Sequence, residues 1–177
     1  MASPRIEPLE RRHRPLLKDF QNQEQSLVQY LKRFALRHAE KDLLSRTYLA
    51  IATINGTDRV AGYFSLATAS VERAGVDTIP ALNKLPRFPI PSVLLAQLAV
   101  DKRAQGQGLG RYLFDEALGK TLTLASSGPV AFRLFVADAI NARAAAFYER
   151  RGFARISMGF PSRMVLDLRP VLNRLNA

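Results

Sequence analysis

A short apolar run, Ser92–Val100, leads into three glycines at alternate positions, Gly106, Gly108 and Gly110, and these open directly into a helical pattern. That helix runs from about Gly108 to Ala125, with Leu109, Leu113 and Ala117 on one stripe and Phe114, Leu118 and Leu122 beside it. Strand, glycine turn and helix in that order leave few folds open. Glycine lets the backbone take positive φ and approach a ligand closely, so consecutive amides at the helix start can point into one concavity. Phosphate oxygens are the natural occupants; a tight connection without a ligand is the alternative. Two rival phosphate motifs fail on spacing. A dinucleotide fingerprint beginning at Gly106 needs glycine where Arg111 stands, and a P-loop ending in Gly119-Lys120-Thr121 needs glycine where Phe114 stands.

Before the turn, Leu27, Leu31, Phe34 and His38 recur at helical spacing between Glu24 and Lys41, which predicts an amphipathic helix, in one piece or two. Residues 46–54 and 59–71 read as strands joined by Asn55-Gly56-Thr57-Asp58, an antiparallel hairpin. The stretch 72–92 holds Pro80, Pro86, Pro89 and Pro91 and is expected to be a long loop. After the glycine-led helix, Ser126-Ser127-Gly128-Pro129 stops it and Val130–Val136 reads as a buried strand parallel to Ser92–Val100. Asn141 is placed to cap a helix on which Ala144, Phe147 and Tyr148 share a face, and Gly152 suits its left-handed C-terminal position. Residues 153–158 and 163–168 are expected to close the chain as a hairpin. No repeat or linker divides it, so one domain over 1–177 is expected, long enough to bury about 70% of its unfolded surface.

With no cysteine, disulfides, thiolate metal sites and a covalent acyl-cysteine route are excluded, and no metal is called for. Residues 1–18 lack the apolar core of a signal peptide, and no apolar run approaches a membrane span, so a soluble cytoplasmic protein is expected. The net charge of +11 is spread along the chain: residues 1–50 hold ten Lys and Arg against six Asp and Glu, the remainder sixteen against nine. Such a surface attracts polyanions or the phosphates of a cofactor, and also serves solubility.

Gln105-x-x-Gly108-x-Gly110 after an apolar strand, followed by Asn141-x-x-Ala144-x-x-x-Tyr148-x-x-x-Gly152-Phe153, resembles the GCN5-related N-acetyltransferase (GNAT) family. The likeness is densest over residues 93–153. It implies an α/β (α+β) GNAT fold: a central mixed, twisted sheet of six to seven strands, with a splayed parallel pair at about 93–100 and 130–136, flanked by helices. It implies acetyl-CoA as co-substrate. The amides around Gln105, Gly106, Gly108, Gly110 and Arg111 would hold its pyrophosphate, and the backbone of Leu98, Ala99 and Val100 would meet the pantetheine arm and the acetyl carbonyl. Tyr148 would be the general acid for the departing thiolate, with a core aromatic as the alternative. Asn141 would be a cofactor contact or only a cap.

Phe20, Ser45-Arg46-Thr47-Tyr48, Leu94–Asp101 and Ala144–Phe153 further resemble the acetyltransferase toxins of bacterial toxin-antitoxin pairs. That resemblance implies the α-amine of aminoacyl-tRNA as acceptor, a block of translation, a small DNA-binding antitoxin of the ribbon-helix-helix type, and room for a homodimer. Ala96-Gln97 stands where the subfamily pattern has arginine before Leu-Ala-Val-Asp. An α-amine near pKa 8 is partly unprotonated at neutral pH and asks for no strong base; His13 and His38 read as structural or solvated. Lys32, Arg33, Arg37, Lys41, Lys84, Arg87, Arg150 and Arg151 are candidate RNA contacts. Acetylation of a small amine or a protein N-terminus, or a non-catalytic module that binds RNA or acyl-CoA, are the other readings.

Overall fold

The computed structural model describes residues 4–175, the side chain of Ile54 excepted; residues 1–3 and 176–177 of the expected 1–177 domain lie outside the described residues. Seven strands form one sheet: β1 (Arg5–Pro8), β2 (Arg46–Ile54), β3 (Thr57–Val71), β4 (Ile90–Val100), β5 (Leu134–Ala139), β6 (Ala154–Arg155) and β7 (Ser162–Asp167). Their order is β1-β2-β3-β4-β5-β7-β6, and β4 and β5 run parallel. The helices are α1 (Arg14–Leu17), α2 (Gln25–Gln29), α3 (Ala35–Arg37), α4 (Leu109–Ser127), α5 (Ala142–Glu149) and α6 (Leu168–Leu175). The chain divides into two compact units, residues 1–67 with 96–117, and 68–95 with 118–177.

In the first unit, β2 and β3 pair from Arg46↔Leu66 to Ile54↔Thr57. The turn is two residues rather than the expected four, because Asn55 and Gly56 both take positive φ, 51° and 73°, the geometry that matches strand twist in a two-residue hairpin. The helix expected between Glu24 and Lys41 is helical from Gln25 to Asp42, with π-helical turns at Tyr30–Phe34 and His38–Asp42 interrupting α2 and α3. Each π turn accommodates an extra residue and rotates the downstream residues about the helix axis. Consequently Val28, Leu31, Ala35 and Leu36 face the core, whereas Phe34, expected on the apolar stripe, is 44% exposed. Phe20 and Tyr63 complete this core edge to face, and the Tyr63 hydroxyl donates to the Leu27 carbonyl at 2.7 Å. Gly62 is required by crowding: a Cβ there would sit 2.7 Å from Leu113 Cδ1 and 2.8 Å from the Ala99 carbonyl.

In the second unit, the parallel ladder joins Ser92–Leu95 to Leu134–Ala137. β4 begins two residues before the expected Ser92, and β5 lies at Leu134–Ala139 rather than at 130–136. Apolar character alone could not phase that strand. What phases it is a second ladder, Leu134↔Asp167 to Ala139↔Ser162 with β7, together with Arg133, whose N–H donates to the Pro91 carbonyl and whose guanidinium grips Asp167 at 2.6 and 2.9 Å. Val130 is left 66% exposed. The proline-rich stretch carries short 3-10 turns at Arg73–Gly75 and Pro80–Leu82 and packs the fully buried Val76 and Leu82 against Leu134, Val136 and Val165. The Arg73 guanidinium ties it down by donating to the Leu82 and Asn83 carbonyls. The closing hairpin is shorter than expected, since β6 has two residues. The chain then continues into α6, unanticipated in the sequence, whose first turn is capped by Asp167 Oδ1 accepting the Arg169 N–H at 3.0 Å.

Candidate active site

At the end of β4 in the first unit, Asp101 organises the approach to the glycine turn. Its carboxylate, 2% exposed, accepts the Gln21 N–H at 2.9 Å, the Arg103 N–H at 2.9 Å, and Arg103 Nε and Nη2 at 2.8 and 2.9 Å. Its own N–H donates to the Ala61 carbonyl on β3. Burial pushes this carboxyl up, but the Arg103 guanidinium and the two amides outweigh it and hold Asp101 below the usual carboxylate range. Arg103 Nη2 also donates to the Asp19 carbonyl at 2.9 Å, so one buried charge fastens three segments together.

Beyond this anchor the backbone turns through Gly106 and Gly108, with φ of +78° and +79°, and enters α4 at Leu109. A Cβ at either glycine would meet nothing within 4 Å, so conformation demands glycine here and the face stays open to a ligand. Among the described residues, no acceptor takes the amides of Gly106, Gly108 or Gly110. The Arg111 N–H, by contrast, donates to the Gly108 carbonyl at 3.1 Å, closing the first turn. Three alternating amides at a nineteen-residue helix start form the kind of nest that suits a pyrophosphate.

Gln105 exchanges hydrogen bonds with the Gln23 side chain at 2.8 and 3.1 Å and reaches the Val100 carbonyl at 3.3 Å. It braces the turn. Asn22 Nδ2 donates to the same carbonyl at 2.8 Å. Ala99 is buried, Leu98 and Val100 half-buried. Asp101, Arg103, Asn22 and Gln23 were not singled out in the sequence as site residues. The acid at the strand end followed by Lys102-Arg103 was a usable signal; Asn22 acts across 78 positions and left none.

In the second unit, Asn141 caps α5: its Oδ1 accepts the Ala144 N–H at 2.9 Å. Tyr148 lies one turn further along, 7% exposed, with ring centroids 5.3 Å from both Phe147 and Phe153. Its carbonyl accepts the Arg151 and Phe153 amides, and Gly152 turns the chain at φ +85°. Burial, and secondarily the carboxylate of Asp138, push the phenol up to about 12, against a smaller opposing pull from Arg151. Tyr148 therefore holds its proton through the neutral range. Arg151 lies 3.5 Å over the Phe147 ring and donates to the Phe147 carbonyl at 2.8 Å.

A family model described as an acetyltransferase (GNAT) domain matches residues 45–155. The chain belongs to the GNAT acetyltransferase family. A tRNA-acetylating toxin of Mycobacterium tuberculosis (strain ATCC 25618 / H37Rv) is 34% identical over 130 residues, 73% of this chain and 72% of that protein. Among solved structures, AtaT complexed with acetyl-methionyl-tRNAfMet is 25% identical at a TM-score of 0.82, covering 98% of this chain and 99% of that one. A mutant of KacT shares the fold at 24% identity and a TM-score of 0.85, over 98% and 99% of the two chains.

This acetyltransferase also carries a basic groove in its first unit. Arg14, Lys18, Lys32, Arg33, Arg37 and Lys41 line a cleft of about 620 Å³, which Arg11 and Glu40 also border as an ion pair at 2.8 Å. Four of the candidate RNA contacts, Lys32, Arg33, Arg37 and Lys41, are thus brought to one surface. Lys84, Arg87 and Arg150 are exposed in the second unit, and Arg151 is bound to Phe147. Both histidines are engaged within the first unit: His13 Nδ1 accepts the Glu10 N–H at 3.0 Å with Nε2 3.3 Å from Glu7, and His38 packs edge to face on Tyr30. Among the described residues, no group of three His, Cys, Asp or Glu is placed to hold a metal ion, and no helix is long and apolar enough to cross a membrane.

Proposed function

We propose that this chain transfers the acetyl group of acetyl-CoA to the α-amine of aminoacyl-tRNA, as a toxin acting in the cytoplasm and neutralised by a small DNA-binding antitoxin. The observation that carries the acceptor is the 34% identity to a tRNA-acetylating toxin over 73% of the chain. The groove lined by seven Lys and Arg side chains supports it, since sequence-independent phosphate contacts come from Lys and Arg. Solved structures of the same fold include AtaTR bound with AcCoA and an AtaT mutant bound to the C-terminus of the antitoxin AtaR, each 24% identical.

In this reading acetyl-CoA supplies an activated thioester. The amides of Gly106, Gly108 and Gly110 bind its pyrophosphate, with Arg111 adding charge at the same helix start. Leu98 and Val100 offer backbone groups to the pantetheine arm, and main-chain amides near Ala99 stabilise the negative charge that develops at the carbonyl oxygen. Tyr148 donates a hydrogen bond to the departing thiolate. A thiol near pKa 8.5 is more acidic than a phenol near 12, so Tyr148 stabilises the thiolate as a donor and completes proton transfer only as the new amide sheds its own proton. Asn141 orients α5 as its cap.

Incubation with labelled acetyl-CoA and charged tRNA is expected to label the aminoacyl group, with KM for tRNA rising steeply with salt, by a log–log slope of about 0.9 per phosphate neutralised. Label appearing only on small amines or protein N-termini would assign a different acceptor.

A further inference from the structure

The cleft in the first unit carries more positive charge than its own ion pairs consume. Arg11, Arg14 and Lys18 come to it from the α1 segment, and Lys32, Arg33, Arg37 and Lys41 from the helical stretch 25–42; the buried Leu17 and Leu36 complete the lining with Glu40. Two bonds tie the segments together: Arg11 to Glu40 at 2.8 Å, and Lys32 Nζ donating to the Lys18 carbonyl at 2.7 Å. The cleft is therefore preformed. Arg37 is paired with Asp42 at 2.9 Å. Among the described residues, Arg14, Lys18, Arg33 and Lys41 have no acidic partner. The π turns sharpen this concentration of charge. A step of four residues drifts by about 40° round an α-helix. Arg33, Arg37 and Lys41 recur at that step, and the π turns at Tyr30–Phe34 and His38–Asp42 offset the drift by taking in extra residues. Three cations are thus kept in line on one face against their mutual repulsion, in a backbone form that recurs at functional sites.

We infer that this cleft is an effector site for a compact oligophosphate, the triphosphate group that a free nucleotide or inorganic tripolyphosphate carries, and that its occupant displaces RNA from the same cations. The displacement rests on the aminoacyl-tRNA reading of the function; the binding does not. Four unpartnered cations match the roughly four negative charges of a triphosphate at neutral pH, whose terminal phosphate loses its second proton near pKa 6. An RNA strand carries one charge per phosphate and would have to lay four nucleotides into about 620 Å³, a volume in the range of about 300–1,000 Å³ that suits one small ligand. A strand can rest phosphates on the rim; a triphosphate can fill the cleft. Arg14 and Arg33 add forked donors that fit phosphate oxygens better than single carboxylates spread along a peptide.

Equilibrium dialysis with labelled tripolyphosphate tests the site, using the full chain saturated with CoA so that the glycine turn does not compete. One site per chain is expected. Arg33→Gln combined with Lys41→Gln should weaken binding at least 10-fold. Glu40→Gln removes the one carboxylate of the lining and releases Arg11, and should tighten binding at least twofold. A folding defect cannot tighten binding, so if the double variant fails to fold, Glu40→Gln decides. At equal ionic strength a tetraglutamate peptide of matching charge should bind at least 10-fold more weakly than tripolyphosphate. ATP binding as tightly as tripolyphosphate supports recognition of the phosphates alone, and tighter binding supports a nucleotide as the source. In the acetylation assay at saturating acetyl-CoA, tripolyphosphate should raise KM for charged tRNA without lowering kcat. Loss of binding in the presence of CoA, equal affinity for the peptide, or unchanged affinity in the folded variants would overturn the oligophosphate site. An unchanged KM for tRNA would overturn the displacement. Binding as expected with no aminoacyl-tRNA labelled would leave the site standing and overturn the acceptor reading instead.

Discussion

The glycine turn and the Tyr148 helix are fixed by opposite means. The turn hangs on a polar anchor, in which Asp101 gathers four hydrogen bonds from Gln21 and Arg103, and Gln105 and Asn22 converge on one carbonyl. Tyr148 is held by aromatic neighbours and by exclusion of water. Under the proposed function the difference reflects what each has to do. Amides that bind a phosphate have to be open to solvent and still rigid, so their support comes from charge-assisted bonds behind them. A phenol that must keep its proton until the last moment is served by burial, which disfavours its charged form.

Each side of that contrast can be broken. The largest effect is expected from Tyr148→Phe, which keeps the ring packing and removes the donor: turnover should fall by about 10²-fold or more while the Kd for acetyl-CoA changes little. In the wild type, with the phenol near 12, the rate should rise with pH as the acceptor amine deprotonates and show no downturn through pH 10. A downturn near 10 would mean that the phenol is not shielded as described.

Asp101→Asn attacks the other side. It removes a buried anion from four donors and should cost about 2 kcal/mol at pH 7, a fall in Tm of about 4–8 °C. The folded carboxyl titrates below the unfolded value of about 3.9, so its contribution is present above that pH and is lost as pH falls through the folded value. Denaturation curves of wild type and variant should therefore converge on acidification; a constant gap would remove the charge from the explanation. The smallest change is expected from Asn141→Ala, about 1 kcal/mol of stability with KM for acetyl-CoA unaltered. A raised KM at unchanged stability would make Asn141 a cofactor contact in its own right.

Much of both sites was legible because their signals are local. Positive φ at Gly106, Gly108 and Gly152 and the Asn141 cap arise from residue types and spacing over a few positions. The helix of residues 25–42 was legible only in outline. Its π turns depend on packing, and they move Phe34 out to solvent and Ala35 into the core. The position of β5 is hidden in the sequence for a related reason: an apolar run does not state which of its residues will find partners on both sides.

By itself, then, the sequence determined the strand–turn–helix that presents three amides, and the capped helix that carries Tyr148, because backbone conformation and capping are short-range effects. The tertiary structure alone decided that Asp101 anchors the turn through Gln21 and Asn22 through Val100, that seven cations share one groove, and that Asp138 pairs with Arg163 beside a cleft. Those contacts join residues far apart in the chain, and no local preference encodes them; they exist only once the strands have chosen their neighbours.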